Sequence, residues 1–148
     1  MAYDQTRVTV ASARESIAKV LEKWGARGVM WEDDFTSFRS TLRFRWIHEG
    51  SELCARLNLT IDRGGIGRTG TAKREKEVER RRRQIHRVAF YWIKSQNEAV
   101  EAGLFRPEVA ILPWLEDATG KTLAETIVPR LGSLESADFG ARLMIGSG

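Results

Sequence analysis

Residues 38–61, FRSTLRFRWIHEGSELCARLNLTI, decide the fold because apolar side chains recur there at every second position. Alternation of this kind is typical of strands with one buried face, and it predicts strands over about 36–47 and 52–61. Residues 47–52 contain a glycine and are predicted as the turn of a β-hairpin. The predicted apolar face comprises Phe38, Leu42, Phe44, Trp46, Leu53, Ala55, Leu57, Leu59 and Ile61.

Helical patterns stand on both sides of this hairpin. A helix is predicted over 12–24, with Ser12 and Glu15 at capping-box spacing before an apolar stripe that ends at Trp24. A second helix is predicted over 72–102, where Gly103 ends it, and its apolar stripe is strong only in the second half.

The whole pattern predicts an α+β fold. A three-stranded or hairpin-based antiparallel sheet packs on the first helix and on the C-terminal half of the second. A strand around 29–31 adds to the sheet, and a short strand is expected at Val8 and Val10. Residues 1–131 are expected to form one domain, and 132–148 a flexible tail or a segment that docks on a partner.

Composition narrows the class of protein. The 148 residues include one cysteine, Cys54, so no internal disulfide is expected and a reducing compartment fits. No apolar run is long enough for a membrane span, and the first residues lack the pattern of a signal peptide. We therefore expect a cytoplasmic protein without a membrane partner.

The net charge of +4 hides an uneven distribution. Residues 36–94 carry a net charge of +9, between flanks of −1 and −4. A basic block of this size points to a polyanionic partner, either nucleic acid or nucleotide phosphate. The candidate phosphate-binding residues are Lys73, Arg74, Arg80, Arg81, Arg82, Arg83 and Arg87 on the long helix, Arg39, Arg43, Arg45 and Arg56 on the hairpin, and Arg68 in the loop.

Other interpretations of these residues stay open. The helix arginines also fit a solvated face paired with neighbouring glutamates or a site for an acidic protein, and the hairpin arginines fit an ordinary solvated sheet face. The glycine-rich loop over 62–71 has the glycine spacing of a P-loop, but Thr71 and Ala72 stand where lysine and serine or threonine belong. Nucleotide hydrolysis is therefore not expected, although the loop can contact phosphate or serve as a plain connector.

Catalytic patterns are scarce. His48, in the predicted turn, and His86, beside the apolar stripe of the long helix, have no metal ligands at suitable spacing. The triplet over 32–34, alone or with residues 116–117, suggests a cation site only weakly. We expect no cofactor, no metal and binding rather than catalysis. Trp31 and Trp114 lie near predicted loops and are candidates for a ligand wall or a subunit interface.

A longer pattern resembles a known group of proteins. Residues 83–87 (RQIHR), 93–94 (IK) and 98–103 (EAVEAG) resemble a helix signature of small uncharacterised accessory proteins of tailed phages and prophages. The later residues Leu112-Pro113, Asp117 and Gly120-Lys121-Thr122 continue the similarity, which spans about 12–130. Ile85-His86 replace the tryptophan that this signature usually carries. The resemblance implies binding rather than catalysis and transfers no site residue.

Three functions follow as hypotheses. The leading one is a non-enzymatic phage or prophage accessory protein, located in the host cytoplasm, that binds nucleic acid through phosphate contacts. The loop over 64–70 would close on the ligand. An alternative is an anti-defence sponge that sequesters a small nucleotide between subunits. The third is an oligomeric interaction or virion-assembly protein that uses the basic helix and the C-terminal tail.

Overall fold

The computed structural model describes residues 8–67 and 70–134 and confirms the α+β prediction. Its elements are helix α1 (Val10–Lys23), strands β1 (Ala26–Asp34), β2 (Arg39–His48) and β3 (Ser51–Thr60), and helices α2 (Ala72–Glu101), α3 (Pro107–Ile111) and α4 (Leu123–Ile127), with 3-10 helices at Leu112–Trp114 and Val128–Ser133. The strands form one antiparallel sheet in the order β1-β2-β3. The strand expected around 29–31 is therefore the first strand of the sheet, nine residues long.

One face of the sheet packs against α1 and the second half of α2. The buried residues of this core are Ile17 and Leu21 from α1, Leu42, Phe44 and Trp46 from β2, Ala55 and Leu59 from β3, Ala89 and Ile93 from α2, and Ile111 from α3. The predicted apolar parity is confirmed for both strands of the hairpin. Phe38 is the exception, because it has a φ of 54° and lies in the turn between β1 and β2.

The predicted turn over 47–52 is shorter than expected. Ile47 and His48 continue β2 and pair with Glu52 and Ser51, which leaves a two-residue connection. Both residues of that connection, Glu49 and Gly50, have positive φ, at 49° and 81°. Two positive φ values are the pattern of the tight type I′ hairpin turn, whose twist matches that of the strands.

The observed start of α1 differs from the predicted one, whereas α2 starts where it was predicted to start. Thr9 caps α1, since its side chain accepts a hydrogen bond from the Ser12 amide at 3.1 Å. The helix therefore begins at Val10, because Thr9 rather than Ser12 is the residue that caps the first-turn amides. The short strand predicted at Val8 and Val10 is wrong. Helix α2 begins at residue 72, as predicted, after a similar cap from Thr71.

The C-terminal segment covers the outer edge of β3. The Glu116 amide donates a hydrogen bond to the Cys54 carbonyl at 2.8 Å, and Ala55 forms a bridge with Leu115. Residues 132–133 complete the last 3-10 helix, Leu134 follows it, and residues 135–148 of the predicted tail lie outside the described residues. Within the described ranges, no helix combines the length and the apolar character needed to cross a membrane.

Candidate nucleic-acid interface

The four consecutive arginines of α2 point in different directions, because successive residues of a helix turn by about 100°. Arg81 donates hydrogen bonds to the carbonyls of Asp62 and Gly64, the latter at 2.7 Å, and so holds the glycine-rich loop against the helix. Arg82 lies on the side of α2 that faces the core and reaches the Asp33 carboxylate at 3.4 Å. These two arginines therefore have internal structural roles.

Arg80 and Arg83 belong to a different face of α2, which we call the basic stripe. Their spacing from neighbouring cations is three or four residues, so these side chains share one side of the helix. The stripe comprises Lys73, Lys76, Arg80, Arg83, Arg87 and Lys94. Its lysines are exposed and its arginines are partly buried, and at 1.5 Å per residue it runs for about 31 Å.

The second half of the stripe is organised around Tyr91. The Arg87 guanidinium lies 4.6 Å from the centre of the Tyr91 ring and donates a hydrogen bond to its hydroxyl at 2.9 Å. The Lys94 ammonium lies 5.8 Å from the same ring. Lys94 and Tyr91 were not among the predicted site residues, because that prediction rested on the density of arginines. The helical spacing of three and four residues would have extended the stripe to both.

The first half of the stripe borders an open groove of about 1060 Å³. Gly65 and Gly67 of the glycine-rich loop form its other side, opposite Lys73, Lys76, Arg80 and Arg83. The loop therefore lies beside the predicted phosphate-binding residues of the helix. Arg68, predicted to contribute from this loop, lies outside the described residues.

The carboxylates near the stripe come from α2 itself. Glu77 accepts hydrogen bonds from Arg80 at 2.7 Å and from Arg81 at 2.8 Å, and these bonds lower the pKa of Glu77 to about 2. Glu79 lies 3.6 Å from Arg83. Lys73 and Lys76 form no ion pair within the described ranges. Pairs within one helix that remain partly solvated are weak, so a phosphate can compete for these arginines.

The arginines on the outer face of the sheet are held by acidic residues from elsewhere in the chain. Arg43 lies 3.3 Å from Glu116 of the C-terminal segment and 3.8 Å from Glu32 of β1. Arg56 lies 3.3 Å from Glu116 and also bonds the Glu125 carboxylate. The side chains of Arg56 and Glu116 are only 13% and 14% exposed. This network occupies two of the predicted phosphate-binding arginines.

Arg45 and Arg39 complete the predicted set on the sheet. Arg45 pairs with Glu52 at 3.1 Å across β2 and β3, and both side chains are more than half exposed. Arg39 is exposed at the start of β2, next to the β1–β2 turn. Arg74 of α2 reaches the same turn and lies 5.1 Å from the centre of the Phe38 ring. The structure thus brings Arg39 and Arg74 to one small pocket between the turn and α2.

A polar network under α2 ties the helices to the sheet. Arg14 of α1 donates two hydrogen bonds to the Asp33 carboxylate, at 2.6 and 3.2 Å. Ser40 of β2 donates a third to Asp33 at 2.6 Å. The Arg14 hydrogen bonds are the largest cause that lowers the pKa of Asp33 to about 2. Asp33 is therefore an anchor for arginine rather than a ligand for a metal ion.

His86 completes this network from α2. It is fully buried, accepts a hydrogen bond from Arg14 Nε at 3.1 Å and places Nδ1 2.8 Å from the Arg82 carbonyl. Burial lowers the pKa of His86 to about 4, so the ring is neutral near pH 7. The Trp31 ring packs beside both groups, with the Arg14 guanidinium 4.4 Å and the centre of the His86 ring 5.4 Å from its own centre. The predicted ligand-wall tryptophan is therefore partly buried against this network.

The remaining candidates lie apart from one another. Trp114 packs edge-to-face on Trp92, with ring centres 5.8 Å apart. His48 ends β2 rather than lying in a turn. Cys54 lies on β3, where partial burial raises the pKa of its thiol. Asp117 accepts hydrogen bonds from the backbone of its own turn. Across residues 8–67 and 70–134, no three His, Cys, Asp or Glu side chains are grouped to hold a metal ion.

A comparison of the chain with family models, with curated proteins and with solved structures finds no match. The resemblance to phage and prophage accessory proteins therefore stays a prediction from the sequence. The features that bear on function are the basic stripe and the groove beside it.

Proposed function

We propose that the protein is a non-enzymatic nucleic-acid-binding protein whose contacts are made to phosphate by the basic stripe of α2. The observation that carries this proposal is the alignment of six cations along about 31 Å of one helix face. At 3.4 Å of rise per nucleotide, that length matches about nine nucleotides of one strand. A phage or prophage accessory role, implied by the resemblance of the helix, belongs to the same proposal.

The charge environment supports this use of the stripe. Lys73, Lys76 and Lys94 are exposed, and the carboxylates that pair with Arg80 and Arg83 are neighbours on the same helix. A polyanion replaces such weak pairs and releases its counterions, which favours binding at low salt. Contacts of this kind go to the backbone, so little sequence preference is expected.

The groove beside the stripe has a shape that suits a bound polymer better than a bound small nucleotide. It is open, and the two tryptophans predicted to line a nucleotide pocket pack elsewhere: Trp31 against Arg14 and His86, and Trp114 against Trp92. A small nucleotide needs a pocket that buries most of its surface. The sponge hypothesis therefore has less support than a polymer bound along the helix.

A salt titration tests the proposal. The change in fluorescence anisotropy of a labelled 20-nucleotide single strand and of a 20-base-pair duplex is measured from 50 to 300 mM salt. Six phosphate contacts give a slope of log K against log salt of about −4 for the single strand or about −5 for the duplex. Absence of binding to both at 50 mM salt would overturn the proposal.

Matched lysine variants locate the surface. Lys76→Ala removes one stripe cation and reduces the magnitude of the slope by about 0.7 to 0.9. Lys121→Ala removes an exposed lysine from the turn beside Arg56, on the opposite face of the sheet from α2, and leaves the slope unchanged. Equal effects of the two variants would contradict binding along the stripe.

A second candidate, an oligomeric interaction protein, is favoured by one observation. The last 3-10 helix and its flanks expose Ile127, Val128, Leu131 and Leu134, each about half exposed or more. Such a cluster is typical of a surface that meets another protein. Light scattering after size-exclusion chromatography tests this, because the candidate requires a defined oligomer whose mass does not depend on added nucleic acid.

A further inference from the structure

The β1–β2 turn carries an aromatic side chain that the core does not use. Phe35 is 79% exposed, more than any other large apolar side chain in the described ranges. The turn that presents it is held by Asp34, whose carboxylate accepts hydrogen bonds from the amides of Thr36 and Ser37 at 2.9 and 3.2 Å. The ring is therefore presented from an ordered turn, which lowers the entropy lost when a ligand stacks on it.

Three arginines from three parts of the chain surround this turn. Arg63 and Arg74 lie 5.6 and 5.1 Å from the centre of the Phe38 ring, and Arg63 also donates a hydrogen bond to the Thr36 carbonyl at 3.4 Å. Arg39 begins β2 directly after the turn. Arg39 and Arg74 line, with both phenylalanines, a pocket of about 190 Å³.

The acidic residues at this pocket are mostly engaged inside the protein. Asp33 bonds Arg14 and Ser40, Asp34 bonds the turn amides, and Glu79 pairs with arginines of α2. Glu75, in the first turn of α2, is the remaining carboxylate. Asp34 keeps its negative charge next to Arg39, so Arg39, Arg63 and Arg74 exceed the carboxylates of Asp34 and Glu75 by one positive charge.

We infer that this turn binds one unpaired base of a single-stranded nucleic acid, with Phe35 stacked on the base and Arg39 and Arg74 on the adjacent phosphates. A base offers its face only when it is unpaired or splayed out, so the exposed ring selects single strands over duplex. Arg74 lines both this pocket and the groove beside the basic stripe, which lets one strand continue from the turn onto the stripe. The inference rests on the proposed function and names the class of nucleic acid.

Phe35→Ala is the direct test, with Leu104→Ala as the matched control at another exposed apolar side chain. Both side chains are mainly in solvent, so both variants are expected to fold as the wild type does. The probes are labelled oligodeoxythymidylate and oligouridylate of 20 nucleotides and a 20-base-pair DNA duplex. Phe35→Ala is expected to weaken binding to both single strands about 10-fold and to leave duplex binding unchanged.

A second variant and a mapping experiment sharpen the result. Phe35→Trp keeps an aromatic face and is expected to restore or exceed wild-type affinity for the single strands. Ultraviolet cross-linking to oligodeoxythymidylate followed by peptide mass analysis is expected to place the cross-link on the peptide that contains Phe35. The wild type can prefer either the deoxyribose or the ribose strand. Such a preference supports the inference when Phe35→Ala also weakens binding to the preferred strand.

The two proposals fail in different ways. If Phe35→Ala binds single strands as tightly as Leu104→Ala does, the base-stacking inference is overturned while salt-dependent binding along the stripe stands. If the wild type prefers the duplex and the cross-link maps elsewhere, the choice of single strands is likewise overturned. If no probe binds at 50 mM salt, the proposed function itself fails.

Discussion

The outer face of the sheet and the basic stripe of α2 carry the same kind of side chain in different electrostatic settings. On the sheet, Arg43 and Arg56 share the Glu116 carboxylate, which comes from a segment more than fifty residues away in the chain. On the helix, Arg80 and Arg83 pair with glutamates three or four positions away in the same helix. The contrast shows that a basic block in a sequence can divide into an internally neutralised surface and an available one.

The largest expected effect removes the available surface. The triple variant Lys73→Ala, Lys76→Ala, Lys94→Ala loses three stripe cations and should weaken binding to a 20-nucleotide single strand on the order of 100-fold at 50 mM salt. The anisotropy titration measures this loss, and urea denaturation checks that stability is retained. A loss of less than about threefold would mean that the stripe is not the binding surface.

The next effect concerns the buried side of the same helix. Because the folded-state pKa of His86 is about 4, below its ordinary value near 6.5, the unfolded chain binds the extra proton. Stability is full above about pH 6.5 and falls as the pH drops from there toward 4, with a loss of about 2 kcal/mol between pH 7.5 and 5. Urea denaturation at several pH values measures this loss.

Histidine variants assign the pH effect to one site. His86→Gln removes the titrating group and should flatten the profile between pH 7.5 and 5, at the cost of a lower overall stability. His48→Gln, at the end of β2, should keep the wild-type profile. The assignment is wrong if the two variants give the same profile. Below about pH 4, protonation of Asp33 removes a further contribution, since its folded-state pKa is about 2.

A smaller effect tests the neutralised surface. Glu116→Gln leaves the Arg43 and Arg56 guanidinium groups without their shared carboxylate, and the free energy of unfolding should fall by about 1.5 kcal/mol. The salt slope of nucleic-acid binding should stay unchanged, because Arg43 and Arg56 lie on the opposite face of the sheet from α2. Glu52→Gln, in an exposed pair, is the control and should change both quantities little. Equal stability of the two variants would contradict the role given to Glu116.

The smallest effect is expected at the exposed sheet arginine. Arg45→Ala should change the free energy of unfolding by less than about 0.5 kcal/mol, because its pair with Glu52 is solvated. Affinity for the single strand should change less than twofold. If Arg45→Ala weakened binding as much as Lys76→Ala does, the two regions would form one binding surface, and the comparison would not hold.

Most of the fold was predictable because its signals are local. Alternation over 38–61 predicts the hairpin, and the apolar stripe of α2 predicts which half of that helix packs on the sheet. The boundaries were less accurate where two local signals competed. Thr9 precedes Ser12 as a cap for α1, and the two-residue turn at Glu49-Gly50 is shorter than the polar stretch around it.

The candidate site was predictable only in part. The density of cations on α2 is visible in the sequence, and helical spacing selects the basic stripe from it. Two features were not accessible, since they depend on contacts between distant segments. Glu116 meets Arg56 only after the C-terminal segment pairs with β3, and Arg74 meets the β1–β2 turn only after α2 packs across the sheet.

The sequence by itself determined the α+β class, the hairpin with its apolar face and the concentration of positive charge in residues 36–94. These properties follow from periodicity and composition, which each short segment carries alone. The tertiary structure decided which of those charges are paired inside the protein. It placed the Glu116 carboxylate against Arg43 and Arg56, turned Arg81 and Arg82 inward and left Phe35 in solvent beside three arginines. Charge pairing depends on distance in space, and only the folded chain sets that distance.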